Sequence, residues 1–332
     1  MLDVRRRDFV ALLGGAVAAL PLAARAQQPR KIYRIGFLAN DPTIPAQPAG
    51  RAFLDGLGES GFIEGKNIII ERRFAEGIID RYPVFAAELV RLDVDAMVVS
   101  SNSAVVAAKQ ATKTIPIVML NGVDPVAQGI VTSLAHPGGN ITGLTQDDSA
   151  RLAAKRMQLL KDAIPQATKI GVLTNPDLTY DKAQWQQLKL TAQSLNVTLR
   201  PLAVRQASEF ESAFADISAD RPDALLVTSA GGLNFTHRRL IVELAAKNTL
   251  PVMSSFKETT EVGGLMSYGS NRIDLFRRAA IYVGKILNGS KPADLPIEQS
   301  VKYDLVINLK TAKTLKLEIP RDVLLIADEV IE

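Results

Sequence analysis

The segment KIYRIGFLANDP, Lys31 to Pro42, opens a pattern that runs through the rest of the chain. Ile32 to Leu38 is a β-branched and apolar run that reads as a strand, and Ala39-Asn40-Asp41-Pro42 reads as the loop that ends it. A helix over Ala49 to Gly58 follows, with Phe53, Leu54 and Leu57 on one face. A strand over Asn67 to Phe74 comes after the Gly61 and Gly65 turns. The unit then repeats as helix Arg81 to Leu92, strand Ala96 to Val99, helix Ser103 to Thr112 and strand Ile117 to Leu120. Such alternation predicts a parallel sheet with helices on both faces.

The order restarts with a helix over residues 149–163, a strand over Lys169 to Leu173, and a helix over Asp181 to Leu195 whose Trp185, Leu188 and Ala192 share a face. Val197 to Leu202, Ala224 to Val227 and Pro251 to Met253 read as further strands. Helices over Glu209 to Ala219 and His237 to Asn248 separate them. The expected fold class is therefore α/β, with two Rossmann-like lobes in tandem, each on a parallel sheet. The repeat is one of architecture, since no residue-level period links the halves. Three joints rich in glycine or proline punctuate the chain: Pro137 to Gly143, Gly263 to Gly269, and Lys291 to Gln299. The glycines there permit backbone angles that other residues reach only at a cost.

Upstream, MLDVRRRDFVALLGGAVAALPLAARA (Met1 to Ala26) reads as a signal peptide. Arg5, Arg6 and Arg7 form its positive end, Phe9 to Leu22 its apolar run, and Ala24-Arg25-Ala26 a cleavage site before Gln27. The run is shorter than the ~20 apolar residues that span a bilayer as a helix. Arg6-Arg7-Asp8-Phe9-Val10 resembles the twin-arginine export pattern, and the expected location is periplasmic.

Composition narrows the function further. The chain has no cysteine, which excludes disulfides, thiolate metal sites and cysteine nucleophiles. Residues 1–26 carry four arginines and two aspartates, so their removal lowers the net charge from +4 to +2. A nearly neutral chain gives no case for nucleic acid, and His237-Arg238-Arg239 reads as the solvated face of a helix. There is no GxSxG elbow, no Walker A loop and no GxGxxG after a strand. His136 and His237 are far apart and lack metal-ligand spacing. Glu258 and Glu261 could share a helix face but have no partner to complete a catalytic set, so a solvated face is expected for them too. Neither a metal nor a cofactor is expected. The Asn-x-Ser/Thr triplets at Asn140, Asn196, Asn234 and Asn288 are glycosylation acceptors only in a eukaryotic secretory route.

The leader, the tandem lobes and four segments together resemble the tryptophan-type substrate-binding proteins of bacterial ABC transporters. The segments are PGGNITG (Pro137 to Gly143), GGLMSYG (Gly263 to Gly269), PADLPIEQ (Pro292 to Gln299) and INLKTAKTLKLEIP (Ile307 to Pro320). The resemblance implies a type I periplasmic-binding-protein fold with three hinge strands. Lobe 1 would comprise residues 31–141 and 264–290, and lobe 2 residues 142–260 and 300–332, with Gly139, Gly143, Gly264 and Pro296 at the hinge. It also implies a small-molecule ligand closed between the lobes and an ABC permease in the membrane as partner; a monomer is expected, and the missing catalytic motifs point to binding and not catalysis.

Ligands of open α/β sheets sit beyond the carboxyl ends of the strands, so the residues just after each strand are the candidates. In lobe 1 these are Asn40 and Asp41, then Ser101, Asn102 and Ser103, then Asn121 and Asp124. Ser103 precedes a helix whose free amides could receive a carboxylate, or it could simply cap that helix. Asp124, extended by Pro125, could pair with a ligand amine or bond to its own turn. In lobe 2 the candidates are Asn175, Ser229, Ser254 and Phe256. Tyr268, in the second joint, would cover the ligand or pack between hinge strands. The expected function is a solute receptor of an importer, for an amino acid or small carboxylate, with carbohydrates, nucleosides and aromatic acids left open. A sensory subunit or an exported enzyme are the alternatives. A repressor would need an N-terminal helix-turn-helix where the leader stands.

Overall fold

The computed structural model describes residues 31–146 and 149–332, and the expected leader lies outside the described residues. Lobe 1 opens with strand β1 (Tyr33–Ala39), helix α1 (Pro48–Glu59), β2 (Ile68–Phe74), α2 (Arg81–Arg91), β3 (Ala96–Val99), α3 (Asn102–Ala111), β4 (Ile117–Gly122) and β5 (Ile141–Thr145). Lobe 2 follows with α4 (Ala150–Ala163), β6 (Lys169–Thr174), α5 (Thr179–Ser194), β7 (Thr198–Ala203), α6 (Phe210–Ala215) and β8 (Ala224–Val227). It continues through α7 (Leu233–Thr236), α8 (Arg238–Lys247), β9 (Val252–Ser254), α9 (Lys257–Glu261) and β10 (Met266–Ser270). The chain then forms α10 (Arg272–Leu287), β11 (Ile297–Gln299), β12 (Tyr303–Asn308), two short helices and β13 (Glu329–Ile331).

The first sheet has the order β11-β5-β4-β3-β1-β2 and the second β13-β12-β10-β9-β8-β6-β7. Pairing is parallel throughout except between β10 and β12. The side-chain period of two explains why β3 is apolar without interruption. Ala96 and Val98 enter the cluster beneath α1 and α10, while Met97 and Val99 enter the cluster beneath α2 and α3. Lobe 2 is built the same way, with Val172 and Leu226 on one side of its sheet and Leu173 and Leu225 on the other.

Two boundaries differ from the expectation. Strand β5 belongs to the first sheet, because Gly143 lies in it at φ +122° with its α-carbon against β4; a β-carbon there would sit 2.4 Å from the Met119 carbonyl oxygen. Strand β10 belongs to the second sheet, since Met266 and Ser267 are in register with Met253 and Ser254, and Tyr268 faces Leu305. Gly263 and Gly264 form the turn that joins α9 to it, with the Gly264 amide donating to the Thr259 carbonyl at 2.9 Å. Only from Asn271 does the chain return to lobe 1, where Leu275, Phe276, Ala279 and Val283 of α10 pack with Phe53 and Leu57 of α1.

The chain thus passes between the lobes after Gln146, at Ser270 to Asn271, and through Ser300 to Lys302. These crossings are bonded to one another: the Ser300 amide donates to the Thr145 carbonyl at 2.9 Å, and the Asn271 amide to the Lys302 carbonyl at 2.9 Å. Gly139, Gly143, Gly264 and Pro296 lie beside this hinge rather than in it. Gly139 is in the turn before β5, Gly264 in the turn before β10, and Pro296 leads into β11, its carbonyl receiving the Tyr282 hydroxyl at 2.8 Å. Among the described residues no helix is long and apolar enough to cross a membrane.

Candidate ligand-binding site

The lobes enclose a cleft of about 370 Å³ beyond the carboxyl ends of β1, β3, β4 and β8, within the size range of small-molecule sites. Its lobe-1 floor is the start of α3. The Ser101 hydroxyl caps this helix by accepting from the Ala104 amide at 3.4 Å, so the amides of Asn102 and Ser103, both lining the cleft, are the first-turn donors that lack intrahelical acceptors. The Asn102 side chain bonds both backbone groups of Val123, accepting at 2.8 Å and donating at 2.6 Å. That pins the loop after β4 to the helix start. Ser101 itself sits at φ +92° and ψ 151°, a conformation costing about 1–3 kcal/mol for a residue with a side chain. The strain turns the chain sharply enough to aim the end of α3 into the cleft.

Asn121 also lines the cleft and accepts from the Ser100 hydroxyl at 3.1 Å. Tyr82 of α2 forms the neighbouring wall, its hydroxyl 3.4 Å from Ser101 Oγ. Burial raises the Tyr82 pKa above its ordinary value of 10.0 despite that bond, so the phenol is a neutral donor at physiological pH. From lobe 2 come Tyr180, Ser229, Phe235 and Phe256. Phe235 and Phe256 meet edge to face at 4.9 Å, an arrangement the ring quadrupoles favour.

Side-chain pairs between the lobes hold the cleft closed. Asn40, whose Oδ1 accepts from the Gly77 amide at 2.7 Å, donates through Nδ2 to the Thr236 hydroxyl. Asp41 faces Arg238 at 3.2 Å, with side-chain exposures of 8% and 12%. Arg272, at the start of α10, binds Glu258 of α9. Burial by itself would raise the Asp41 pKa, but the Thr43 hydroxyl and amide and the Arg238 charge outweigh it and hold the carboxyl below its ordinary 3.8. Arg238 and Arg272 lie over the Phe235 ring at 4.6 and 4.3 Å, in range for cation–π attraction. Two expectations of solvated faces therefore give way. Arg238 and Glu258 are cross-cleft partners, because α8 and α9 point their first turns at lobe 1.

Asn40, Asp41, Ser101, Asn102, Ser103, Asn121, Ser229 and Phe256 all line the cleft as the strand-end rule predicts. Four other candidates lie outside its lining. Asp124 is exposed and accepts from the Ala127 amide at 3.2 Å, closing its own turn. Asn175 likewise accepts from the Asp177 amide at 3.0 Å. Ser254 is buried against Thr259 at 3.2 Å. Tyr268 stacks on Tyr303 at 6.0 Å within the second sheet, and its carbonyl accepts from buried Arg156 Nε at 2.7 Å. The rule overlooked Tyr82, Tyr180, Phe235 and Arg272, which sit on helices that close over the strand ends. No group of three or more metal-ligating His, Asp or Glu side chains occurs among the described residues.

His237 supplies a test of closure. It lies between α7 and α8 with its ring 5.5 Å from Phe210, and a β-carbon on Gly77 of lobe 1 would sit 3.4 Å from its Nε2. Burial lowers its pKa below the ordinary 6.5. The unfolded chain therefore binds more protons just below pH 6.5, and stability falls as pH drops from there toward the depressed folded value. His237→Gln is expected to flatten the dependence of Tm on pH between 7 and 5. Parallel curves for variant and wild type would contradict this.

Residues 44–331 match the family described as ABC transporter substrate binding protein. A tyrosine-binding protein of Clostridioides difficile (strain R20291) is 28% identical over 289 residues, covering 87% of this chain and 82% of that protein. The structure of an ABC domain in complex with L-Trp from Streptococcus pneumonia aligns at TM-score 0.78 and 27% identity, over 90% of this chain and 100% of that one. A ligand-free, open substrate binding protein with adhesive properties from Clostridium difficile aligns at TM-score 0.65 and 26% identity, over 91% and 99%. At nearly equal identity the chain is closer to the liganded structure, in keeping with the pairs that span its cleft. Binding proteins at 11% and 15% identity share the fold alone, that of type I periplasmic binding proteins. The family match spans most of the chain, and the chain belongs to the ABC transporter substrate binding protein family.

Proposed function

We propose that the protein is the exported solute receptor of an ABC importer and that its ligand is an aromatic amino acid, L-tryptophan or L-tyrosine. The observation that carries this reading is the joining, in one cleft, of the first-turn amides of α3 with a wall of Tyr82, Tyr180, Phe235 and Phe256. An α-carboxylate matches the helix start in charge and in its need for donors. The aromatic side chain then extends toward lobe 2, where Phe235 and Phe256 offer a face and an edge. The names of the tyrosine-binding relative and of the L-Trp complex support the same ligand class.

Such a ligand touches both lobes, so it binds the closed form better and draws the hinge equilibrium toward it. The closed form is what a membrane permease would recognise. A periplasmic location follows from this role and from the leader.

The test is a thermal-shift titration of residues 27–332 against L-tryptophan, L-tyrosine, D-galactose and inosine. Ligand at 100 times its Kd adds about 2.7 kcal/mol, a rise of several degrees for a chain of this length. A rise with either amino acid supports the reading. A rise only with the sugar or the nucleoside replaces it.

A further inference from the structure

A second cleft, of about 250 Å³, adjoins the first. Among the described residues, Arg272 alone lines both. Its side chain is 7% exposed and is held from both lobes. The guanidinium lies 4.3 Å from the Phe235 ring in lobe 2 and 5.2 Å from the Phe276 ring in lobe 1, and its Nη1 donates to Glu258. Beyond it the second cleft is acidic, with Glu258, Glu261, Asp304, Asp328 and Glu329 in its lining against Lys257 and Arg272.

We propose that Arg272 is a partition that sets the length and charge of the side chain the receptor accepts. The inference rests on reading the first cleft as an amino-acid pocket with the carboxylate at α3. A side chain reaching from there toward Phe235 ends against the guanidinium. A neutral ring meets a favourable cation–π partner. A longer tail meets a filled wall, and a cationic tail meets like charge as well. Were the wall removed, the same cationic tail would enter a cavity lined by carboxylates. Arg272 therefore selects twice, by volume and by sign, and keeps basic side chains from a neighbouring space that would suit them.

The experiment measures Kd by calorimetry for L-tyrosine, L-tryptophan, O-benzyl-L-tyrosine and 4-aminomethyl-L-phenylalanine. It compares wild type, Arg272→Ala, and Arg272→Ala combined with Glu258→Gln, which removes the carboxylate that the single variant would strand. Wild type is expected to prefer its better amino acid over both tailed probes by at least about tenfold, the discrimination available to a pocket wall. Opening the wall is expected to narrow both ratios by at least about tenfold. The gain for the aminomethyl probe should be larger in the single variant, which keeps Glu258 charged. If wild type binds L-tyrosine or L-tryptophan and the ratios do not change in either variant, the partition is overturned while the pocket reading stands. If wild type binds neither amino acid, the pocket reading fails and the partition fails with it.

Discussion

Replacing Asp41 with alanine is expected to weaken ligand binding by about 10- to 100-fold while leaving both lobes folded. Asp41 stands in lobe 1 and its carboxylate meets Arg238 of lobe 2 at 3.2 Å, with both side chains nearly buried. Removing one member of a buried pair strands the other, at about 3–5 kcal/mol when the site cannot relax. Here it can relax, because opening the cleft returns Arg238 to water, so the cost falls on the closed form alone. A loss of about 1.4–2.8 kcal/mol there is one to two factors of ten in affinity. Calorimetric Kd values for Asp41→Ala, Arg238→Ala and the double variant provide the check. The double variant should bind better than the sum of the single losses implies, since neither charge is left alone. Additive losses, or a Kd within twofold of wild type for Asp41→Ala, would remove the latch. The sign with pH is also set. A carboxyl held below its ordinary 3.8 contributes above that value and is lost only as pH falls through the depressed one. Asp41 thus leaves affinity flat from pH 8 to 5.

Gly269→Ala is expected to destabilise the fold strongly. A β-carbon at Gly269 would stand 1.9 Å from the Ser255 carbonyl oxygen and 2.9 Å from its carbon. Both are backbone atoms, which cannot swing aside as a flexible side chain can. Gly269 lies in β10 opposite Asp304 of β12 and one residue from the second crossing, so yielding there would break the antiparallel pairing of β10 with β12 and disturb the hinge. Overpacking costs about 1–3 kcal/mol where side chains give way and more where they cannot, and a Tm lower by about 5 °C or more is expected. Gly58→Ala is the matched control. It lies in α1 with nothing within 4 Å of the added carbon and is expected to leave Tm unchanged or raised slightly. Equal Tm values for the two variants would refute the steric account.

The alternation of strands and helices was legible because strands buried on both faces, such as Ala96 to Val99, advertise themselves as unbroken apolar runs. The lobe-1 side of the cleft was legible for a related reason. Asn40, Asp41, Ser101 to Ser103 and Asn121 each follow a strand, and the strand-end rule needs only local sequence. The lobe to which β10 belongs was not legible, since Met266 to Ser270 is apolar enough for either sheet and its placement is decided by register with Met253 and Ile307. Nor were the latches, because Asp41 and Arg238 are 197 residues apart and a charged helix start looks the same whether it faces water or the other lobe. Tyr268 shows the converse limit. An amphipathic ring in a joint suits a lid or a core, and packing against Tyr303 decided it.

The way α10 and β11 return to lobe 1 bears on how the chain is made. Helix α10 packs so closely on α1 that a β-carbon at Gly56 would sit 2.6 Å from the Arg277 carbonyl, and β11 covers the edge of β5. Neither exists on a ribosome that has synthesised only the first half of the protein. At about 5–20 residues per second, lobe 1 waits many seconds with one face bare and one sheet edge unpaired, while all of lobe 2 up to β10 emerges. During that interval the nascent N-terminal half exposes an apolar face and a strand edge that its own later segments will cover, the kind of surface that makes a partly made chain prone to aggregate. Lobe 1 is therefore the first half to be begun, and it is finished only after most of lobe 2 has been made.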